Sequence, residues 1–269
     1  MTFELVFVAA SVAVTLSFLV YASWRDHKVR EVSNRVWVIY APIALGLSLA
    51  ELLLYDSYKL PLFGISVGLT VGLAFLLFYS GGFGGADSKA LMCIAVALPF
   101  APEILSTPIL FGGLSPISQF MFPLTIFSNG VLFAAASGIY MILRNFVWQK
   151  RTGKKMFTGT LAIEPVWKKI LILITGYQVS VAKLKEKWHV FPMEDVDETG
   201  LARKLVVVPR DDGRDKIVER LSKAVEAGKI ENYVWATPGL PMLIFITLGL
   251  IVALVFGDVV WLLLRFFLA

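Results

Sequence analysis

Cysteine and histidine are nearly missing from this chain of 269 residues: there is one cysteine, Cys93, and there are two histidines, His27 and His189. A lone thiol makes no intrachain disulfide. With only two imidazoles beside it there is neither a cysteine-based zinc centre nor a multi-histidine cage, so redox and metal-centred chemistry have little to build on. Charge is scarce too. Only 17% of residues are charged while 57% are hydrophobic, and mean hydropathy is +0.75, against roughly 25% charged residues in soluble domains. A water-soluble globule of this size has no means of hiding so much apolar surface, so the bilayer is the solvent for most of the chain. No internal repeat is evident, which leaves a repeat-built transporter without support. The net charge of +5 and pI near 9.2 would raise nucleic acid as a partner in a soluble protein, but the placement of the charge answers otherwise.

Crossing a hydrocarbon core of about 30 Å takes roughly 20 apolar residues. The chain offers six such segments: Phe3 to Ala22, Val36 to Leu54, Leu60 to Ser80, Ala90 to Phe111, Ser118 to Leu143 and Gly239 to Leu264. The fourth contains Pro99, Pro102 and Pro108, which shorten or kink it. The first has Glu4 ahead of it and its basic cluster behind it, the reverse of a secretory signal. Arg25, Lys28, Arg30 and Arg35 follow span one, Lys89 follows span three, and 18 of the 25 Lys and Arg residues lie between Arg144 and Ala236. The opposite side holds only Lys59 and Arg265. By the positive-inside rule the basic face is cytoplasmic and the N-terminus lies outside, in a multi-pass protein of the cell membrane.

The expectation is an all-α polytopic membrane protein with six transmembrane helices and a small α+β cytoplasmic domain between helices 5 and 6. Residues 1–143 carry helices 1 to 5, 144–236 form the cytoplasmic domain, and 237–269 are the sixth helix. Within the domain, Ile170 to Ile174, the alternation Val179, Val181 and the run Leu205 to Val208 read as strands. Ile217, Leu221, Ala224 and Val225 recur at helical spacing, and Gly228 stands where a helix would be capped.

Span parity puts Asp26, just after span one, and Asp87, just before span four, on the same face. Asp26 lies in an interfacial stretch between Trp24 and Trp37 in which Ser33 or Asn34 can cap the next helix. Asp87 closes Gly81-Gly82-Phe83-Gly84-Gly85-Ala86, a glycine-rich break in apolar sequence. Each carboxylate alone reads as an ordinary loop or cap residue. Together they suggest acid–base chemistry, because two carboxylates held close do not both ionise freely, and unwound backbone at a membrane edge is tolerated only where it is buried or lines a wet cavity.

Asp26 with Arg30-Glu31-Val32-Ser33-Asn34, the loop Gly84-Gly85-Ala86-Asp87-Ser88-Lys89, and Trp235-Ala236-Thr237-Pro238-Gly239-Leu240-Pro241 resemble the archaeal preflagellin and prepilin peptidases. These are GxGD aspartyl membrane proteases, distantly like presenilin. The resemblance runs over nearly the whole chain, with Ala86 standing where the strict pattern has glycine. It implies Asp26 and Asp87 as the catalytic pair, with Gly84, Gly85 and Ala86 as the active-site loop. It also implies an endopeptidase that removes the short basic leader, a class III signal peptide, from preflagellin-like or prepilin-like precursors at the cytoplasmic membrane face. No metal and no organic cofactor is implied. Bacterial relatives often carry a cysteine-rich cytoplasmic segment associated with N-methylation; with only Cys93, proteolysis without methyl transfer is expected here.

Thr237, Pro238 and Gly239 read first as the start of the last span, and as supports of the substrate site if extended peptide enters there. Asn129 inside span five reads as an interhelical hydrogen bond or a polar contact to the active-site cavity. The run Glu194, Asp195, Asp197, Glu198 reads as a solvated loop, with steering of a basic leader as its functional alternative. From another class altogether, a small proton-coupled or cation-coupled transporter would place the two aspartates in a relay. Nothing in the sequence speaks to oligomeric state.

Overall fold

The computed structural model describes residues 3–105, 114–197, 202–207, 213–238 and 241–268. The chain divides into two compact units, Met1–Ala134 with Pro241–Ala269, and Ala135–Leu240.

The first unit is built from α1 (Phe3–Val29), α2 (Asn34–Tyr55), α3 (Leu60–Tyr79), α4 (Gly85–Ala97), the short α5 (Pro116–Phe120), the first part of α6 (Phe122–Thr152), and, from the end of the chain, α10 (Met242–Val255) and α11 (Val259–Leu268). Local signals set the ends. Ser33 is the N-cap of α2 and Pro61 sits in the first turn of α3, where a missing N–H costs nothing. α1 stops at Arg30, whose φ of 54° makes it the one non-glycine residue in the left-handed region among those described. The interior holds Leu19, Trp37, Tyr40, Ile94, Ile126 and Leu250, while Val38, Leu53, Leu69 and Leu76 face outward, as a lipid solvent requires. Because lipid is as apolar as leucine, cohesion comes from close packing and hydrogen bonds. Tyr40 donates to Thr15 Oγ1 at 2.9 Å, Ser23 and Thr247 share a 2.8 Å bond, and Ser48 and Ser66 donate to the carbonyls of Ala97 and Pro99. At Gly249 a Cβ would come within 2.3 Å of the Ile126 carbonyl oxygen, so α6 and α10 touch backbone to backbone.

Among the described residues four helices are long and apolar enough to cross a membrane, giving up to five spans if the bent pair α10 and α11 is one. Two of the six expected spans therefore differ. The fourth begins earlier and ends sooner, at Ala97, because Pro99 and Pro102 supply no N–H and bias the residues before them away from helix; residues 106–113 lie outside those described. The sixth is broken, turning 68° between α10 and α11. Gly257 takes a φ of 84° at the break, and the Asp258 carboxylate accepts the Trp261 N–H at 2.9 Å to start the new helix.

In the second unit an antiparallel sheet runs in the order β1 (Tyr177–Ser180), β5 (Tyr233–Pro238), β2 (Val190–Pro192), and β3 (Glu194–Val196) pairs with β4 (Arg203–Leu205). The helices are the second part of α6, α7 (Val166–Thr175), α8 (Val181–Glu186) and α9 (Arg214–Glu226). Expected strand β1 and helix α9 are present, the latter burying Val218, Leu221 and Ala224 and followed by Gly228 at φ 67°. Of the expected strand Leu205 to Val208 only Leu205 is in one, as the last residue of β4; Val206 and Val207 lie past its end, and Val208 lies outside the described residues. Ile170 to Ile174 is not a strand but the body of α7: Pro165 presets the first turn and Gly176 stops it, so an alternating β-branched run coils once its neighbours dictate helix. Val181 likewise opens α8, capped by Ser180.

Two members of the acidic run are not in a solvated loop either, while Asp197 is exposed beyond β3, where its carboxylate accepts the Ala202 N–H at 3.1 Å. Glu194 is fully buried, and Arg203 holds both its carboxylate oxygens at 2.7 and 2.8 Å. Asp195 is bound by Arg220 at 2.7 Å. Both carboxylates lock the β3 and β4 pair and α9 together, and Glu198 lies outside the described residues.

Candidate active site

Asp26 stands in the last full turn of α1, where the interfacial sequence still continues the helix. Its own carbonyl accepts the Arg30 N–H at 2.9 Å, the bond that closes the helix end. Asp87 occupies the first turn of α4, three residues past the N-cap Gly84. There the free N–H groups of a helix terminus favour a carboxylate: Asp87 Oδ2 accepts the Gly84 N–H at 3.1 Å, and the amide of Leu243, at the start of α10, also donates to this carboxylate. Two helix N-termini thus converge on one acidic side chain.

The glycine-rich loop makes this possible at specific atoms. A Cβ on Gly84 would sit 3.1 Å from Asp87 Oδ2, inside ordinary contact distance, whereas Gly81 is required by its φ of 77°. Ala86 packs its methyl against the core of the unit beside Phe83, so the residue that departs from glycine is accommodated as a packing group. Phe83 in turn meets Phe127 edge to face at 5.6 Å. Lys89 donates to Asn34 Oδ1 at 2.6 Å and ties the start of α4 to the start of α2.

Asp26 and Asp87, 61 positions apart in sequence, are brought into electrostatic contact: the charge of Asp26 acts on the Asp87 carboxyl, and the Arg30 guanidinium acts on both. Both acids are half-buried. The site therefore holds a pair of coupled carboxylates, a cation and two backbone donors at the ends of helices, a set suited to sharing one proton and polarising a water. Among the described residues no three His, Cys, Asp or Glu side chains converge as metal ligands.

Of the other expected residues, Asn129 lies in the same unit but away from this pair. Asn129 donates to the Gly257 carbonyl at 2.9 Å and accepts the Val259 N–H at 3.1 Å, so its amide is spent on the break between α10 and α11, about 20 Å along α10 from Leu243. Thr237 and Pro238 belong to the second unit, at the end of β5, where they pair with Phe191 and Val190; Thr237 Oγ1 donates to the Thr175 carbonyl at 2.7 Å. Gly239 lies outside the described residues. Sequence reasoning gave no role to Arg30, although its spacing of four from Asp26 on a helix is a readable signal. It missed Leu243 altogether, because a backbone amide carries no side-chain signature.

Two family profiles match the chain, the type IV leader peptidase family over residues 13–139 and the archaeal peptidase A24 C-terminus type II over residues 168–259. A preflagellin peptidase of Methanococcus voltae is 30% identical over 251 residues, covering 91% of this chain and 94% of that protein. A preflagellin peptidase of Methanococcus maripaludis is 23% identical over 241 residues, covering 89% and 92%.

Proposed function

We propose, from the premise that this chain belongs to the type IV leader peptidase family of aspartic-type membrane peptidases, that Asp26 and Asp87 are its catalytic pair and that its substrates are preflagellin-like or prepilin-like precursors. What supports this reading is the position of Asp87 in the first turn of α4, held by the Gly84 N–H and lying within the field of Asp26. In a coupled pair one carboxyl keeps its proton while the other is ionised, and the titration belongs to the pair. The ionised member takes a proton from water as the oxygen attacks the scissile carbonyl, and the protonated member donates to the carbonyl oxygen, giving a tetrahedral gem-diol; as this collapses the C–N bond breaks, the proton taken from water passes to the leaving amine nitrogen, and a gem-diol hydroxyl returns its proton to the carboxylate that gave it. Arg30 holds negative charge at the site without being consumed.

The substrate's apolar helix lies in the bilayer with its basic leader in the cytoplasm, which presents the scissile bond at the membrane edge, where the acids stand. The basic connections support an outside N-terminus and a cytoplasmic active site. Six passes follow if the bent pair α10 and α11 is one span and α4 crosses despite its 13 residues. Its end supports that, since Ala97 and Pro99 accept bonds from Ser48 and Ser66 deep in α2 and α3, and Pro99 also accepts the Phe122 N–H where α6 begins. A transporter reading loses its footing with the family established and with acids at helix ends instead of the midplane.

Co-expression of the chain with a basic-leader precursor tests the assignment, cleavage being followed as a mobility shift. Asp26→Asn and Asp87→Asn are each expected to slow processing by roughly 10²- to 10⁴-fold, with normal membrane insertion. Full processing by either variant overturns the pair.

A further inference from the structure

The second unit carries an apolar stripe that its own core leaves unused. Ile163, just before α7, and Val166, Trp167, Ile170 and Leu171 within it recur at spacings of three and four, which puts them on one side of the helix. All five are exposed, Ile163 at 84% and Trp167 at 57%. Ile172, on the opposite side, docks α7 into a core with Leu161, Met193, Leu205 and Trp235. Packing inside the unit therefore explains one face of α7 and not the other, and a contiguous exposed patch of large apolar side chains marks an interaction surface.

Where the stripe leads is shown by its last member. Ile174 falls on the same side as Ile170 and packs against α6, where a Cβ on Gly138 would come within 2.7 Å of Ile174 Cγ2. Asn145 donates to the carbonyls of Leu173 and Gly176 at 3.0 and 2.8 Å, and the Arg144 guanidinium lies 3.8 Å from the centre of the Tyr177 ring. Both ends of α7 are held on one stretch of neighbouring backbone: Glu164 accepts the Leu205 N–H at 2.9 Å, the next amide, of Val206, donates to the Met193 carbonyl, and the Met193 thioether accepts the Thr175 hydroxyl. α6 is long and apolar enough to cross a membrane, and Arg144 is its first charge, so Gly138 stands about 9 Å inside the uncharged run. Ile139, Tyr140 and Leu143 face outward there. The stripe thus continues a lipid-facing surface at the level where apolar sequence gives way to basic. Residues 144–169 contain seven Lys and Arg against one acid, Glu164, and Lys168 and Lys169 flank the stripe on its two sides, the pattern of an interfacial helix with an apolar face and cationic borders. We propose that α7 lies on the bilayer surface with the stripe sunk at the headgroup boundary and its lysines among anionic headgroups, so that lipid itself anchors the second unit. The inference does not depend on the catalytic assignment of Asp26 and Asp87.

The test uses the full chain in vesicles of phosphatidylcholine and phosphatidylglycerol, with a nitroxide on one introduced cysteine at a time: Val166→Cys, Ile170→Cys, and Lys223→Cys on the exposed side of α9 as the reference. Cys93 is buried and stays unlabelled. Collisions with oxygen, which concentrates in lipid, and with a nickel chelate, which stays in water, report the depth of each label. Oxygen is expected to dominate at Val166→Cys and Ile170→Cys and nickel at Lys223→Cys, the ratio of the two differing by at least about tenfold, because the apolar face of an interfacial helix sinks about 5–10 Å. Should the label at Ile170→Cys disturb the fold, Ile163→Cys, outside the helix, carries the comparison. Nickel contact on the stripe equal to that at the reference leaves α7 in water and overturns the proposal. Exclusion of both collision partners from the stripe overturns it as well, since protein then covers it: a second copy where the exclusion fades as the chain is diluted into lipid, a precursor where it arises only on adding one.

Discussion

At the scale of single residues the site is held chiefly by backbone. Gly84 and Leu243 offer N–H groups to Asp87, and the side chain closest to both acids electrostatically, Arg30, sits on a strained backbone with φ 54°. A non-glycine residue past a helix end in this region costs about 1 kcal/mol relative to glycine. Arg30→Gly is therefore expected to leave folding intact or raise stability by up to about 1 kcal/mol while slowing precursor processing roughly tenfold, because the cation that acts on both carboxylates is gone. Melting temperature and processing rate measured on the same preparation check it; a variant that loses stability and activity together would assign Arg30 a structural role only. The acids themselves were legible in the sequence, through span parity and the glycine-rich break. For Asn129 the interhelical hydrogen bond was legible but its partners were not, because an intramembrane amide says that it needs a partner without saying which. Its partners turned out to be the backbone around Gly257 and Val259.

Among elements, the second unit shows why charge in a sequence is a poor guide to exposure. Glu194 and Asp195 look solvated in a run of acids, yet a strand alternates its side chains and the complementary Arg203 and Arg220 arrive from β4 and α9, too far along the chain for local reading. The same limit hid the helix at α7, where propensity favoured a strand and the flanking Pro165 and Gly176 decided otherwise. Glu194 is fully buried with Arg203 as its cation, so Arg203→Met strands a carboxylate in the interior, a loss of about 3–5 kcal/mol. Removing both charges, as Glu194→Leu with Arg203→Met, restores much of that. Amide hydrogen exchange in β3 and β4 is expected to quicken at least a hundredfold in the single variant and to recover in the double. Equal exchange in the two would mean that the pair contributes nothing beyond its volume.

For the whole molecule the question is which ends of the helices share a side of the bilayer. α1, α2 and α3 are each long and apolar enough to cross; if each crosses once, the turn at Glu31 and the turn at Gly82 emerge together, and Tyr58 on the far side, whatever α4 does. That independence matters because α4 is short: its prolines already marked the span as shortened or kinked, and its contacts with Ser48 and Ser66, unreadable beforehand, are what support a crossing. The chain is well suited to a direct measurement. Cys93 is its single thiol and is buried, 6% exposed, so background labelling is low. Glu31→Cys, Gly82→Cys and Tyr58→Cys, one at a time, are expected to react with a membrane-impermeant maleimide as follows: Tyr58→Cys in intact cells, the other two only after the cytoplasmic face is opened. That expected direction rests on Lys28, Arg30, Arg35 and Lys89, since basic residues in short connections resist translocation. Labelling of Glu31→Cys and Gly82→Cys from outside would invert the protein and place the peptidase chemistry on the wrong side for a leader held in the cytoplasm. Labelling of those two from different sides would separate Asp26 from Asp87 and leave neither a catalytic partner.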